Sequence, residues 1–191
     1  MAVKRSYTKL RRAEAEERTR RRIVEALVEL HEEIGPARTT ISAVAERAGV
    51  ERLTVYRHFP DETAMFTACS SLWAEMNPAP PLPSPDTSAP LPAARRAILL
   101  LYQWFRENQK MLASISADAE HLPSIRPMME PLLGYLAAYA DGLESLWSRR
   151  NRQRGATLRH AVEFTTWRSL AGIVDGDRKA VEVVLGWLKR T

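Results

Sequence analysis

Cysteine is almost missing from this chain. Cys69 stands alone among 191 residues, which excludes an intramolecular disulfide framework, fits a reducing cytoplasm and reads as a small buried filler. Long apolar runs are missing too. The greasiest stretch, Ile98 to Leu101, falls far short of the ~18 residues that a membrane span requires. The positive charges near the start are followed by no apolar segment, so a secretory signal is not expected. These absences predict a cytoplasmic protein with no membrane partner. Alternating strand patterns and internal repeats are also absent, leaving an all-α chain. The residues of common catalytic motifs are lacking as well: there is no nucleophile elbow, no phosphate loop and no Cys cluster. The four histidines are scattered. His160 and Glu163 share a helix face, but without further carboxylates they make a weak metal pair. An enzyme is therefore not expected, and neither a cofactor nor a metal is called for.

What the sequence has in excess is positive charge. The net charge is +5, and nine basic side chains from Lys4 to Arg22 face only Glu14, Glu16 and Glu17. Such a basic arm suits a polyanionic partner. The first helix is expected to start between Thr8 and Ala13 and to run to Ile34, with Ile23, Ala26, Leu27, Leu30 and Ile34 inside. Gly35-Pro36 stops it. Asp61 is positioned to cap a fourth helix from Thr63 to Glu75. Residues 78–92 hold seven of the twelve prolines and read as a non-helical, mobile loop. Further helices are expected over Ala93–Asn108, Lys110–Ala119, Met128–Arg149, Ala156–Ile173 and Arg178–Arg190. Pro123 and Pro127 bracket the entry to the third of these.

Residues 39–60, TTISAVAERAGVERLTVYRHFP, carry the most functional information. Ile41, Val44, Ala45 and Ala48 recur at helical spacing on one face, with Thr40 as N-cap. Gly49 supplies the cramped conformation of a sharp turn. After it Val50 and Val55 point inward, leaving Arg52, Thr54, Tyr56, Arg57 and His58 outside. Two short helices joined in this way form a helix-turn-helix, whose second helix enters a DNA major groove. The run from Ala45 through Ala48-Gly49-Val50 to Thr54-Val55-Tyr56-Arg57-His58-Phe59 resembles the DNA-binding signature of the tetracycline-repressor (TetR/AcrR) family, over roughly residues 18–75. His160 to Leu170 resembles the C-terminal part of one branch of that family.

The candidate DNA-binding residues are Thr40, Arg52, Leu53, Thr54, Tyr56, Arg57 and His58. The Thr40 hydroxyl suits a phosphate. Arg52 and Arg57 suit guanine O6 and N7, with phosphate contact as the alternative. Thr54 suits a thymine methyl or a phosphate. The resemblance implies that Tyr56 and His58 clamp backbone oxygens. Three positions depart from the family pattern. Glu51 stands where a capping Ser or Thr is common, and its carboxylate is expected to cap instead. Leu53 replaces a frequent Gly and brings an apolar group toward the groove. Glu62 stands where a phosphate-binding Lys is common, so that contact is in doubt.

The expected division is a DNA-binding domain over 1–60 and a helical ligand-binding and dimerisation domain over 61–191. The last two helices are apolar on more than one face: Leu158, Ala161, Val162 and Thr165 against Phe164, Trp167 and Ala171, then Val181, Val184 and Leu188 against Val183 and Trp187. One face of each needs a partner, and a two-fold homodimer supplies it. The resemblance implies an apolar pocket for an unknown small-molecule effector. Its candidate lining is Trp73, Trp104, Met111, Met128, Tyr135, Phe164 and Trp167, although each of these also suits a core position. Asp118, Glu120, His121 or Arg126 can add polar specificity. The resulting expectation is a dimeric repressor on a palindromic operator of double-stranded DNA. The alternative is a helical sensor or nucleoid-type DNA binder without operator specificity.

Overall fold

The computed structural model describes residues 2–84, 89–121 and 125–191, with the side chains of 2–8 and 120 left aside. The described residues form helices and no strand: α1 (Ala2–Ile34), α2 (Ile41–Ala48), α3 (Arg52–His58), α4 (Glu62–Met76), α5 (Pro90–Glu107), α6 (Gln109–His121), α7 (Arg126–Glu144), α8 (Arg152–Ala161), α9 (Phe164–Ala171) and α10 (Asp177–Leu188). Pro36–Arg38 adds a short 3-10 turn. No helix is long and apolar enough to cross a membrane among the described residues.

The chain divides into two compact units. The first takes residues 1–77 and 113–128, and the second takes 78–112 and 129–191. Packing thus groups α4 with the first three helices, where the sequence suggests a boundary at residue 60.

In the first unit, Ile23, Val24, Ala26, Leu27, Val28 and Leu30 of α1 are buried with Val44, Ala45 and Ala48 of α2, Val55 of α3 and Met65, Cys69 and Leu72 of α4. The start of α1 corrects the expectation of a basic arm before a helix. The helix already runs at Ala2, because the stretch to Ile34 holds neither Gly nor Pro and is rich in Ala, Arg, Glu and Leu. Arg21 and Glu25 add an exposed i,i+4 pair at 2.9 Å.

In the second unit, Ile98, Leu101, Tyr102 and Phe105 of α5 are fully enclosed. Buried hydroxyls find carbonyls: Tyr102 donates to Ala161 O at 2.9 Å and Tyr139 to Ala97 O at 2.8 Å. Two expectations for the proline-rich segment are corrected. Residues 90–92 are helical, since Pro90 opens α5, a position where its missing N–H costs nothing. Residues 78–84 are non-helical but lie against α7 instead of hanging free. Tyr135 Oη donates to Pro80 O at 2.7 Å, and a Cβ at Gly142 would come within 3.1 Å of Pro83 O. Residues 85–88 of the expected loop, and Pro123, lie outside the described residues.

The expected single helix from 156 to 173 is two. Glu163 is extended (φ −74°, ψ 136°) and opens α9, while Asn151 caps α8 by accepting from the N–H of Gln153 and Arg154. The break turns most of both apolar stripes inward: Leu158, Ala161, Val162, Phe164 and Trp167 are buried within one chain, while Thr165 is exposed and Ala171 half-buried. The two-faced pattern of this segment therefore needs no second subunit to explain it.

Candidate nucleic-acid interface

The reading head is built by a turn that only glycine fits without strain. Gly49 ends α2 in the left-handed region, φ 63° and ψ 43°. Its own N–H bonds Glu46 O at 3.1 Å, and Val50 N–H reaches back to Ala45 O at 2.9 Å, a Schellman closure. Nothing lies within 4 Å of the position of a Cβ there, so backbone conformation alone selects glycine.

Side chains then lock both helices onto the scaffold. Arg47 of α2 grips Glu33 with Nη2 at 2.8 Å and Glu29 with Nη1 at 3.1 Å, and the Glu33 carboxyl falls below its ordinary range through the hydrogen bond from Arg47. At the end of α3, Phe59 is buried beneath the Arg20 guanidinium, 5.0 Å from the ring centroid, a cation–π contact. Ahead of α2, Gly35 has φ +83°, and a Cβ there would stand 2.8 Å from Asp118 Oδ2. That oxygen instead accepts the Ala37 N–H at 2.8 Å. Neither the Arg47 clamp nor the Asp118 bond is legible in the sequence, because their partners lie 14 to 18 and 81 residues away.

Beneath the head sits a neutral pair. His31 and Cys69 are both buried, with Nδ1 and Sγ 3.4 Å apart. Burial lowers His31 to about 4 against the pull of Asp118 and raises the Cys69 thiol to about 12. His31 Nε2 is enclosed without a hydrogen-bond partner among the described residues.

On α3 the exposure pattern is one-sided. Val55 is buried and Thr54 and His58 are half-buried, whereas Arg52, Leu53, Tyr56 and Arg57 are exposed. These four positions are i, i+1, i+4 and i+5, one arc of an α-helix at about 100° per residue. Leu53 is 76 % exposed and Tyr56 49 %. At that spacing these two hold the middle of the arc and the arginines its flanks. Neither Arg52 nor Arg57 makes an ion pair among the described residues, in contrast with Arg47. Thr40 is the N-cap of α2, accepting the Ala43 N–H at 3.2 Å, which leaves its hydroxyl hydrogen free to donate outward.

Two expected details change. Glu51 occupies the N-cap position of α3, but its carboxylate caps nothing. His58 Nε2 is enclosed without a partner among the described residues, so contact with DNA through that nitrogen needs the ring to turn. Glu62 is exposed in the first turn of α4, which Asp61 caps by accepting the Ala64 N–H at 2.8 Å.

Residues 23–69 match the family described as bacterial regulatory proteins, tetR family. The chain carries a tetR-family DNA-binding domain. Members of this family are DNA-binding transcriptional regulators, and the match runs from α1 through the helix-turn-helix into α4. Among solved structures, a Clostridium perfringens protein named "putative fatty acid metabolism regulator" is similar at 16 % identity and a TM-score of 0.62, over 89 % of this chain and 98 % of that one. A TetR transcriptional regulator from Rhodococcus sp. RHA1 is similar at 22 % identity and a TM-score of 0.51, over 92 % of this chain and 96 % of that one. At these identities the likeness is one of fold. No curated protein sequence matches the chain.

The residues expected to line a ligand pocket fall in both units. Trp73 and Met128 belong to the first, and Trp104, Met111, Tyr135, Phe164 and Trp167 to the second. Within the second unit the rings contact one another: Trp104 and Tyr135 at 6.4 Å, Phe164 and Trp167 at 5.5 Å, and both of the latter with Phe105 at 5.6 and 6.0 Å. Trp167 Nε1 donates to Asp177 at 2.9 Å, and Arg106 holds the same carboxylate at 2.7 and 2.8 Å. Phe164, Trp167 and Met111 are buried, while Tyr135 remains half exposed. Of the polar candidates, Asp118 is engaged with Ala37, and the Glu120 side chain lies outside the described residues. His160 and Glu163 approach to 3.6 Å, but no group of three or more potential metal ligands occurs among the described residues.

Proposed function

We propose that this regulator binds a palindromic operator as a two-fold dimer, represses transcription there, and is released by a small apolar ligand held in the second unit. The observation that carries the DNA reading is the outward arc of α3. It bears two guanidiniums that make no ion pair among the described residues, on a helix anchored through Val55 and Phe59. Arg52, in the first turn, is assigned to a guanine edge, where a bidentate contact discriminates bases. Arg57, Tyr56 and Thr40 are assigned to backbone phosphates, and the basic start of α1 to sequence-independent attraction. For the dimer, the supporting feature is the half-exposed strip of Val183, Gly186 and Trp187 on α10. For the effector, it is the half-exposed Tyr135 edge of the ring cluster, and the name of the Clostridium fold neighbour makes fatty acyl compounds the first class to screen. Selecting bound fragments from random DNA tests the reading. A single enriched inverted repeat supports it, and a pool with no enriched sequence supports a nucleoid-type binder instead.

A further inference from the structure

The middle of the reading arc carries an aliphatic side chain beside Tyr56, and this bears on what it reads. Leu53 is 76 % exposed, sits second in α3 between Arg52 and Thr54, and lies on the same arc as Arg52, Tyr56 and Arg57. An isobutyl group has no hydrogen bond to offer. Pressed against the N7, O6, N6 or N4 edge of a base pair, it would strip water from a polar group and return nothing. The largest apolar feature of the major groove, and its one methyl group, is the C5 methyl of thymine. Resting on the proposal that α3 enters that groove, we infer that Leu53 is a specificity-determining residue that packs on one thymine methyl in each half-site. It selects thymine both by burying the methyl and by penalising the polar edges of the other bases.

Replacing thymine by uracil removes that methyl and leaves the hydrogen-bonding edge unchanged. With the full-length protein and its selected site, each thymine of a half-site is changed to uracil in turn and binding is read by fluorescence anisotropy. The expected result is one position at which uracil weakens the wild type roughly three- to tenfold, the worth of a single buried methyl group. In Leu53→Ala the same exchange changes affinity less than twofold, while the preference at the guanine assigned to Arg52 persists. The side chain is exposed, so this variant keeps its fold, and an unchanged circular dichroism melt checks that. Uracil without effect at every position overturns the inference, as does an equal uracil penalty in wild type and Leu53→Ala. Both outcomes leave the operator-binding reading standing, whereas failure to enrich any site overturns the two together.

Discussion

Arg47 and Arg52 lie five positions apart and have opposite fates. Arg47 is held by two glutamates of α1, while Arg52 is exposed on the reading helix and makes no ion pair among the described residues. Substitution should separate the two kinds of role. Arg52→Ala is expected to cost about 1–3 kcal/mol on the selected site and little on scrambled DNA; equal losses on both would reassign it to phosphate contact. His31 gives a second prediction at this scale. Its folded value, near 4, lies below its ordinary 6.5, so between these pH values the unfolded chain binds more protons. Its contribution is complete above pH 6.5 and is lost as pH falls toward 4, up to about 3 kcal/mol. Urea unfolding at pH 7.5 and 5.0 should show the wild type losing roughly 2 kcal/mol more than His31→Gln. Equal losses in the two proteins would place the pH dependence elsewhere.

At the scale of elements, the helix-turn-helix is the part most legible in the sequence. Its apolar spacing, the Thr40 cap and the Gly49 turn are local signals, and all three are found where expected. Gly49→Ala forces a Cβ into the left-handed region and should destabilise the fold by about 1–2 kcal/mol in chemical denaturation; no change would mean that the turn relaxes. Features set by tertiary packing are less legible. The break between α8 and α9 carries neither Gly nor Pro, and it exists because both apolar stripes can then reach one core. Residues 78–84 look unanchored in the sequence because their partners, Tyr135 and Gly142, lie more than 50 positions further on. The start of α1 looks like a loose arm because its charge is more conspicuous than its helix propensity. Removing residues 1–12 should weaken binding to all DNA and lower the slope of log affinity against log salt, by up to about 0.9 for each phosphate no longer neutralised. An unchanged slope would show that this segment stays clear of the DNA.

For the whole molecule, the sequence indicates a helical regulator, but its argument for dimerisation from two-faced helices is weakened for α8 and α9. The remaining basis is the Val183, Gly186 and Trp187 strip of α10. Val183→Glu is expected to shift sedimentation from dimer to monomer and to abolish cooperative occupation of the two half-sites. A dimer that persists would move the interface elsewhere. The candidate ligand residues are legible as large apolar or aromatic side chains, but not as lining or core, because periodicity reports that a side chain is buried and not what it is buried against.

The central claim is that the outward face of α3 reads a defined sequence, and one measurement bears on it most directly: the ratio of affinities for the selected site and a scrambled duplex, in wild type and in the Arg52→Ala/Leu53→Ala double variant at fixed salt. The account predicts a wild-type ratio of at least about 10³, falling roughly 15- to 1,500-fold in the double variant while affinity for scrambled DNA stays nearly constant. A wild-type ratio near one, or a ratio that survives the double substitution, would contradict it.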